Sequence, residues 1–168
     1  MAMAVDSYKY LPRSFREGYE ALPMQADTPV WSPLRLPVEQ ASIALLTSAG
    51  LYLKDSQPAF DTERERAHPQ WGDPTYRLIP RDARQQQFAA AHLHLNPHDV
   101  LEDFNVALPL RAFGELDAEG RIGRLADEHY SFMGYQERSL AEWRGQYAPD
   151  VARRLEHAGV HALVLAPA

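Results

Sequence analysis

The chain contains no cysteine. Disulfides, thiolate-metal sites and a cysteine nucleophile are therefore excluded within its 168 residues. It has no surplus of positive charge either. Its 17 basic residues stand against 23 acidic ones, a net charge of -6, which argues against nucleic acid or an anionic membrane as partner. No apolar run approaches the ~20 residues that cross a bilayer. The first residues, Met1 to Asp6, lack the basic-then-apolar pattern of a signal peptide, so a cytoplasmic location is expected. There is no internal repeat and no low-complexity segment. G-x-G-x-x-G is missing, which argues against a Rossmann dinucleotide site, and G-x-S-x-G is missing, which argues against a serine-hydrolase elbow. What is present is 45% hydrophobic residues, enough for one domain with a real core.

Residues 1–41 read as a Pro- and aromatic-rich N-terminal arm. Ser14 to Ala21 has the composition of a short helix. Pro23, Pro29, Pro33 and Pro37 then forbid long regular structure, and Trp31 is a candidate anchor on the domain. Residues 42–168 read as an α/β domain. Ser42 to Thr47 is a continuous apolar run, the pattern of a strand buried on both faces, and Gly50 permits a tight turn after it. Lys54 to Asp73 reads as a long polar loop. Tyr76 to Pro80 is a short strand, Arg81 to Phe88 a turn or short helix, and Ala90 to Leu95 another strand. Asn96 to Asp99 reads as a turn. Leu110, Phe113 and Leu116 share one helical face, with Gly120 as its stop. Arg121 to Ala126 is a strand candidate and Asp127 to Tyr135 a loop. Ser139 and Glu142 have the spacing of a capping box. Leu140, Trp143, Tyr147, Val151 and Leu155 form one apolar stripe, with a break or kink expected at Pro149 and an end at Gly159. Val160 to Leu165 reads as a final buried strand. Strands alternating with helices indicate a mostly parallel sheet. Ligands in such sheets bind at the carboxyl ends of strands: here Thr47 to Gly50, His94 to Asp99, and the stretch ending at Ala168.

The most visible constellation is His92, His94 and His98. On a strand, His92 and His94 share one face. The run is similar to the H-x-H-x-D-H zinc motif of metallo-hydrolases, but Asn96 replaces the acidic ligand and His98 comes one residue late. Three readings stay open: polar residues satisfying one another at a strand end, substrate binding or proton transfer by groups that titrate near neutrality, and a metal site. No metal is the expectation. His129, beside Tyr130 and Met133, reads as packed in its loop, and His161 as a satisfied core histidine.

Taken in order, several segments resemble the selenoprotein B family of glycine/sarcosine/betaine and D-proline reductases. They are Trp31-Ser32-Pro33-Leu34, Ile43 through Asp55, Tyr76 to Pro80, His92-Leu93-His94, Asp103 to Leu110, Gly120 to Gly123, His129 to Gly134, and Gly159 to Pro167. The resemblance covers roughly residues 30–168. It implies a three-layer α/β sandwich with a mostly parallel sheet, lacking here its C-terminal helix and strand. It also implies a redox cysteine or selenocysteine just after the last strand, so selenocysteine, encoded by UGA, is the expected residue beyond Ala168. No other cofactor is expected in this chain. A selenolate between a strand end and a helix start would have its pKa lowered by the helix terminus. The implied reaction is reductive C–N cleavage of a small amino-acid-like substrate. In that setting His92, His94 and His98 are the catalytic candidates. Ser48, Gly50, Asp55, His129 and Met133, which stand in the matching segments, are the candidate substrate contacts. A companion reductase subunit and a homo-oligomer are the expected partners. The alternative is a non-catalytic α/β ligand-binding or assembly subunit, with a metal-dependent hydrolase third.

Overall fold

A computed structural model describes residues 32–93, 96–136 and 139–168. The readings for Ser14 to Ala21, Trp31 and His94 lie outside the described residues. Leu34–Ala168 form one compact unit.

The centre is β1, Ser42–Thr47. Its alternating faces are both closed, as its continuous apolar sequence requires: Ala44 and Leu45 are fully buried. Burying a leucine completely contributes about 1.5–3 kcal/mol. On one side β1 pairs in parallel with β7, Ala162–Ala166, from Ile43 opposite Ala162 to Thr47 opposite Ala166. On the other side it pairs in parallel with two strands in succession, β5 (Arg124–Leu125) near its start and β6 (Glu128–Ser131) near its end. β3, Arg77–Pro80, adds to β6 in the antiparallel sense. The result is a mixed α/β fold with a mostly parallel five-stranded sheet. A separate antiparallel pair joins β2 (Leu51–Leu53) to β4 (Phe88–Ala90).

β5 and β6 act as one strand with a bulge. Between the Ile43–Leu125 and Leu46–Tyr130 pairs, β1 advances three residues and its neighbour five. The bulge leaves the Leu45 N–H without a ladder carbonyl. The His129 imidazole takes its place, with Nδ1 accepting at 3.0 Å. A buried backbone donor must find some partner, and here a side chain supplies it.

Five α-helical segments occur among the described residues: α1 (Thr62–Ala67), α2 (His98–Glu102), α3 (Leu110–Ala118), α4 (Leu140–Glu142) and α5 (Ala148–His157). α4 and α5 are joined by a π-helical stretch, Trp143–Tyr147, into one run, so four helices flank the sheet. Four residues of the expected stripe pack together, and Leu140 is not among them. Val151, with Trp143, Tyr147 and Leu155, covers Tyr130 and Phe132. The opposite face, with Ile43, Leu45 and Ile79, packs with Leu51, Phe88, Leu108 and Leu110. No helix among the described residues is long and apolar enough to cross a membrane.

Several expectations are corrected. The segment 54–73 is not all loop. Asp61 caps α1 by accepting the Arg64 N–H at 2.9 Å. The strand expected at 90–95 lies earlier, at Phe88–Ala90, so Ala91 to Leu93 are outside it. Asn96 to Asp99 opens α2, with Asn96 Oδ1 accepting the His98 N–H. The expected loop 127–135 contains β6. Ser139 precedes α4 without capping it, its hydroxyl turning to Gln136 instead. Pro149 causes no break: it comes just after the π-helical stretch, and the helical run continues through it to His157. β7 is half-exposed, Leu165 to 64%, because it has a partner on one side only among the described strands. His161 lies on the surface at its start, where its Nδ1 accepts the Ser42 N–H.

Candidate functional site

β1 and β7 run in parallel and end together. Beyond their last pair the ladder continues: the Ser48 N–H donates to the Ala166 carbonyl at 3.3 Å. The Ser48 side chain then takes over. The Ala168 N–H donates to Ser48 Oγ at 2.9 Å, and the Ser48 hydroxyl donates to the Ala168 carbonyl at 3.3 Å. One side chain thus holds both backbone groups of Ala168, and the chain leaves β7 in a fixed direction.

A third segment closes on this point. Gly50 turns the chain after β1 with φ +63°. Its N–H donates to Phe132 and its carbonyl accepts from Ala91, at 2.9 and 3.0 Å. A Cβ on Gly50 would meet the Met133 sulfur at 2.7 Å and the Ala91 carbonyl oxygen at 2.8 Å. Glycine is the residue that combines left-handed backbone with this close approach. Gly50 and Met133, both buried, therefore lock the segments after β1, β4 and β6 together. Above them lies Gly134. A Cβ there would sit 3.1 Å from His92 Nε2, 3.3 Å from the Ala168 carbonyl oxygen and 3.3 Å from the Ser48 carbonyl oxygen. The bare glycine makes a shallow pit, walled by an imidazole on one side and the clamped end of β7 on the other.

Of the residues singled out in the sequence, His92, Ser48, Gly50 and Met133 come together here. Ser48 and His92 line the pit, and Gly50 and Met133 support it. His129 does not face it: its ring is fully buried inside the sheet. Burial first, then the Arg81 cation, lower its pKa from 6.5 to about 4, against the opposing pull of the Ala126 carbonyl and Asp127. It is neutral at pH 7, as its acceptor role requires. His98 stands on the exposed first turn of α2, its Nδ1 3.3 Å from Asp99. Asp55 lies in the exposed turn after β2. Among the described residues no three His, Cys, Asp or Glu side chains gather as a metal-ion site.

Gly134 was not legible as a site residue. It closes the segment His129 to Gly134 singled out in the sequence, directly after the buried run Tyr130 to Met133. A larger cleft, about 640 Å³, lies beside Gln57, Tyr76 and Asp150, three side chains that are committed elsewhere. Gln57 bridges Leu53 and Leu78. Asp150 accepts from the Tyr76 hydroxyl and from Arg153 and Arg154. The Tyr76 hydrogen bond, ahead of the arginines, holds the Asp150 carboxyl below the usual range.

Ser48→Ala tests the clamp. Loss of its two hydrogen bonds, each contributing about 1 kcal/mol, is expected to speed hydrogen exchange of the Ala168 amide about thirty-fold while distant β1 amides keep their protection.

Residues 11–168 match the family described as Glycine/sarcosine/betaine reductase selenoprotein B (GRDB). The chain is 31% identical over 139 residues to D-proline reductase subunit gamma of Acetoanaerobium sticklandii, covering 82% of this chain and 52% of that protein. It is 28% identical over 145 residues to Glycine reductase complex component B subunit gamma of Carboxydothermus hydrogenoformans, covering 86% of this chain and 32% of that protein. It thus spans about half the length of one curated relative and a third of the other. No solved structure matches it.

Proposed function

We propose that this chain, which belongs to the glycine/sarcosine/betaine reductase selenoprotein B family, forms the part of an amino-acid or amine reductase that presents a redox cysteine or selenocysteine directly beyond Ala168. One observation carries the reading. The end of β7 is clamped by Ser48 at 2.9 and 3.3 Å, and a Cβ on Gly134 would lie 3.3 Å from the Ala168 carbonyl oxygen and 3.1 Å from His92 Nε2. A residue following Ala168 would leave β7 beside a pit that a single Cβ would fill, so the residues present fit such a group.

A selenolate or thiolate there supplies the nucleophile for a substrate carbon and, with a dithiol as reductant, the two electrons that C–N cleavage consumes. This chain's residues supply the rest. Ser48 fixes the direction in which the chain leaves β7. His92 offers a ring nitrogen at the pit for a proton exchanged with the departing amine. Gly134 keeps the floor open. His94 and His98 are assigned as further proton carriers of the same segment, and Ser48, Gly50, Asp55, His129 and Met133 as the substrate-side residues, Gly50, His129 and Met133 acting through the frame they build. The relatives are named as subunits of reductases, which supports a companion subunit here; homo-oligomerisation and a cytoplasmic location complete the reading.

Mass spectrometry of the protein from its native source tests this. The expected result is a selenium- or cysteine-containing peptide continuing from Ala168, with UGA or a cysteine codon in the DNA. A UAA or UAG codon directly after Ala168 would sink the proposal.

A further inference from the structure

Gly134 is the floor of the pit and has no side chain with which to hold its place. Its neighbours must hold it. On the upstream side the sheet does so: the Phe132 N–H donates to the Thr47 carbonyl at 2.9 Å, and Met133 bridges to Ala49. That bridge is the last one of this segment among the described residues. Beyond it the side chain of Gln136, two residues past the glycine, takes over.

The Gln136 amide nitrogen donates to the Met133 carbonyl at 3.0 Å and to the Asp73 carbonyl at 2.8 Å. Its amide oxygen accepts from the Ser139 hydroxyl at 3.0 Å. These partners fix which way round the amide lies. Backbone carbonyls only accept, so the NH2 end must face them, and the oxygen is left for a hydroxyl that can donate. Ser139 is 1% exposed, and a buried hydroxyl requires such a partner. Its capping spacing is therefore not used on α4; the hydroxyl orients the glutamine instead. The far anchor is fixed as well. Asp73 is buried, and its carboxylate accepts the Asp61 N–H at 3.0 Å and the Thr75 N–H at 2.9 Å. Gly134 thus lies inside a bracket that runs from the Met133 carbonyl through the Gln136 side chain and back along the chain.

We propose that Gln136 is a positioning residue for the pit, holding the Gly134 floor at its distance from His92 and from the Ala168 carbonyl. What the pit does rests on the reductase reading; the bracket does not. Misplacing reacting groups by roughly 1 Å can slow a reaction about a hundred-fold. The pit leaves no such margin, because a Cβ on Gly134 would already stand 3.1 Å from His92 Nε2.

The experiment uses protein made from its complete reading frame. Gln136→Met keeps the length of the side chain and loses all three hydrogen bonds. Ser139→Ala leaves the glutamine in place and frees its oxygen. Asp117→Leu is the control: Asp117 accepts from Arg81 at 2.9 Å and from the Leu125 N–H at 3.1 Å, at the opposite end of β1. All three should lose some stability. The nuclear Overhauser contact between the Gly134 α-protons and the His92 ring separates position from stability. It is expected to fall by at least half in Gln136→Met, to fall less in Ser139→Ala, and to be unchanged in Asp117→Leu. Alkylation by iodoacetamide of the residue that follows Ala168 is expected to slow about ten-fold in Gln136→Met and to keep its rate in Asp117→Leu. An Overhauser contact that both pit variants leave intact overturns the proposal. So does an equal loss in Asp117→Leu, or an alkylation rate that Gln136→Met leaves unchanged. If Gln136→Met does not fold, Ser139→Ala decides by the same two measurements. A chain with no cysteine or selenocysteine after Ala168 would give no alkylation in any form, which sinks the reductase reading while the Overhauser contact still decides the bracket.

Discussion

Acidification from pH 7 to pH 4 will remove roughly 3 kcal/mol of stability through one side chain, His129, taking about 1.4 kcal/mol for each unit of pKa difference. Its folded-state pKa is about 4, lowered first by burial and then by Arg81. In the unfolded chain it returns to about 6.5. The folded pKa is depressed, so the stabilisation is fully present above about 6.5. As pH falls, the unfolded chain takes up a proton that the folded one refuses, and stability declines until the folded value near 4, below which this contribution is lost. The structural reason is that Nδ1 accepts the buried Leu45 N–H across the bulge in β5–β6. A proton on that nitrogen would set two donors against each other inside the sheet. Urea unfolding at half-unit pH steps checks this. The comparison is with His129→Leu. That variant loses about 1–3 kcal/mol at pH 7, because the Leu45 N–H is left without an acceptor. It also loses one proton of pH dependence between 6.5 and 4. Equal slopes in the two proteins would refute the assignment.

His129 also shows where sequence reading runs short. β1, α3 and the stripe of α5 are legible because each answers to one periodicity: a continuous apolar run, a 3–4 spacing with Gly120 as stop, and Trp143 through Leu155. β6 is not. Glu128, His129, Tyr130 and Ser131 look polar, yet three of them are buried. The imidazole is engaged by a backbone 84 residues away, a partner no local pattern can reveal. α1 fails for the opposite reason. Thr62 to Ala67 has hardly any apolar residue to give a period, and it is held by the Asp61 cap. The shift of the expected strand 90–95 to Phe88–Ala90 follows from pairing. Leu51–Leu53 is only three residues long, and its register ends at Ala90. His92 therefore leaves the strand before its face can matter, and reaches the pit through the Gly50–Ala91 contact instead. The site was legible as a location, the end of the last strand. Its floor at Gly134 was not, since a glycine's value there depends on three segments meeting.

Gly72→Ala is expected to be the most damaging glycine-to-alanine change among the described residues. A Cβ at Gly72 would lie 1.6 Å from the Tyr135 carbonyl oxygen and 2.7 Å from its carbon. Both are backbone, so no rotamer change relieves the overlap. Neither segment is free to retreat. The Asp73 carboxylate accepts the Asp61 N–H at 3.0 Å and the Thr75 N–H at 2.9 Å. The Gln136 amide ties the two segments together, donating to the Asp73 and Met133 carbonyls at 2.8 and 3.0 Å. Overpacking of a tight site costs about 1–3 kcal/mol, more when backbone must move. We expect a loss of about 3 kcal/mol or more, a fall in Tm of roughly 10 °C for a domain of this size. The control is Gly114→Ala in α3, where nothing lies within 4 Å of the added carbon. There the same methyl favours the helix and should stabilise by about 0.5–1 kcal/mol. The site follows the fold in this experiment. Gly134 lies between Met133, which Gly50 holds, and Tyr135, which Gly72 admits. Pushing Tyr135 outward must move the pit floor relative to His92. The imidazole proton resonances of His92 should therefore shift in Gly72→Ala and stay put in Gly114→Ala. An unshifted His92, with a Tm within a degree or two of the unaltered protein, would mean that the two segments are not in contact as described and that the pit is set by Ser48 and Gly50 alone.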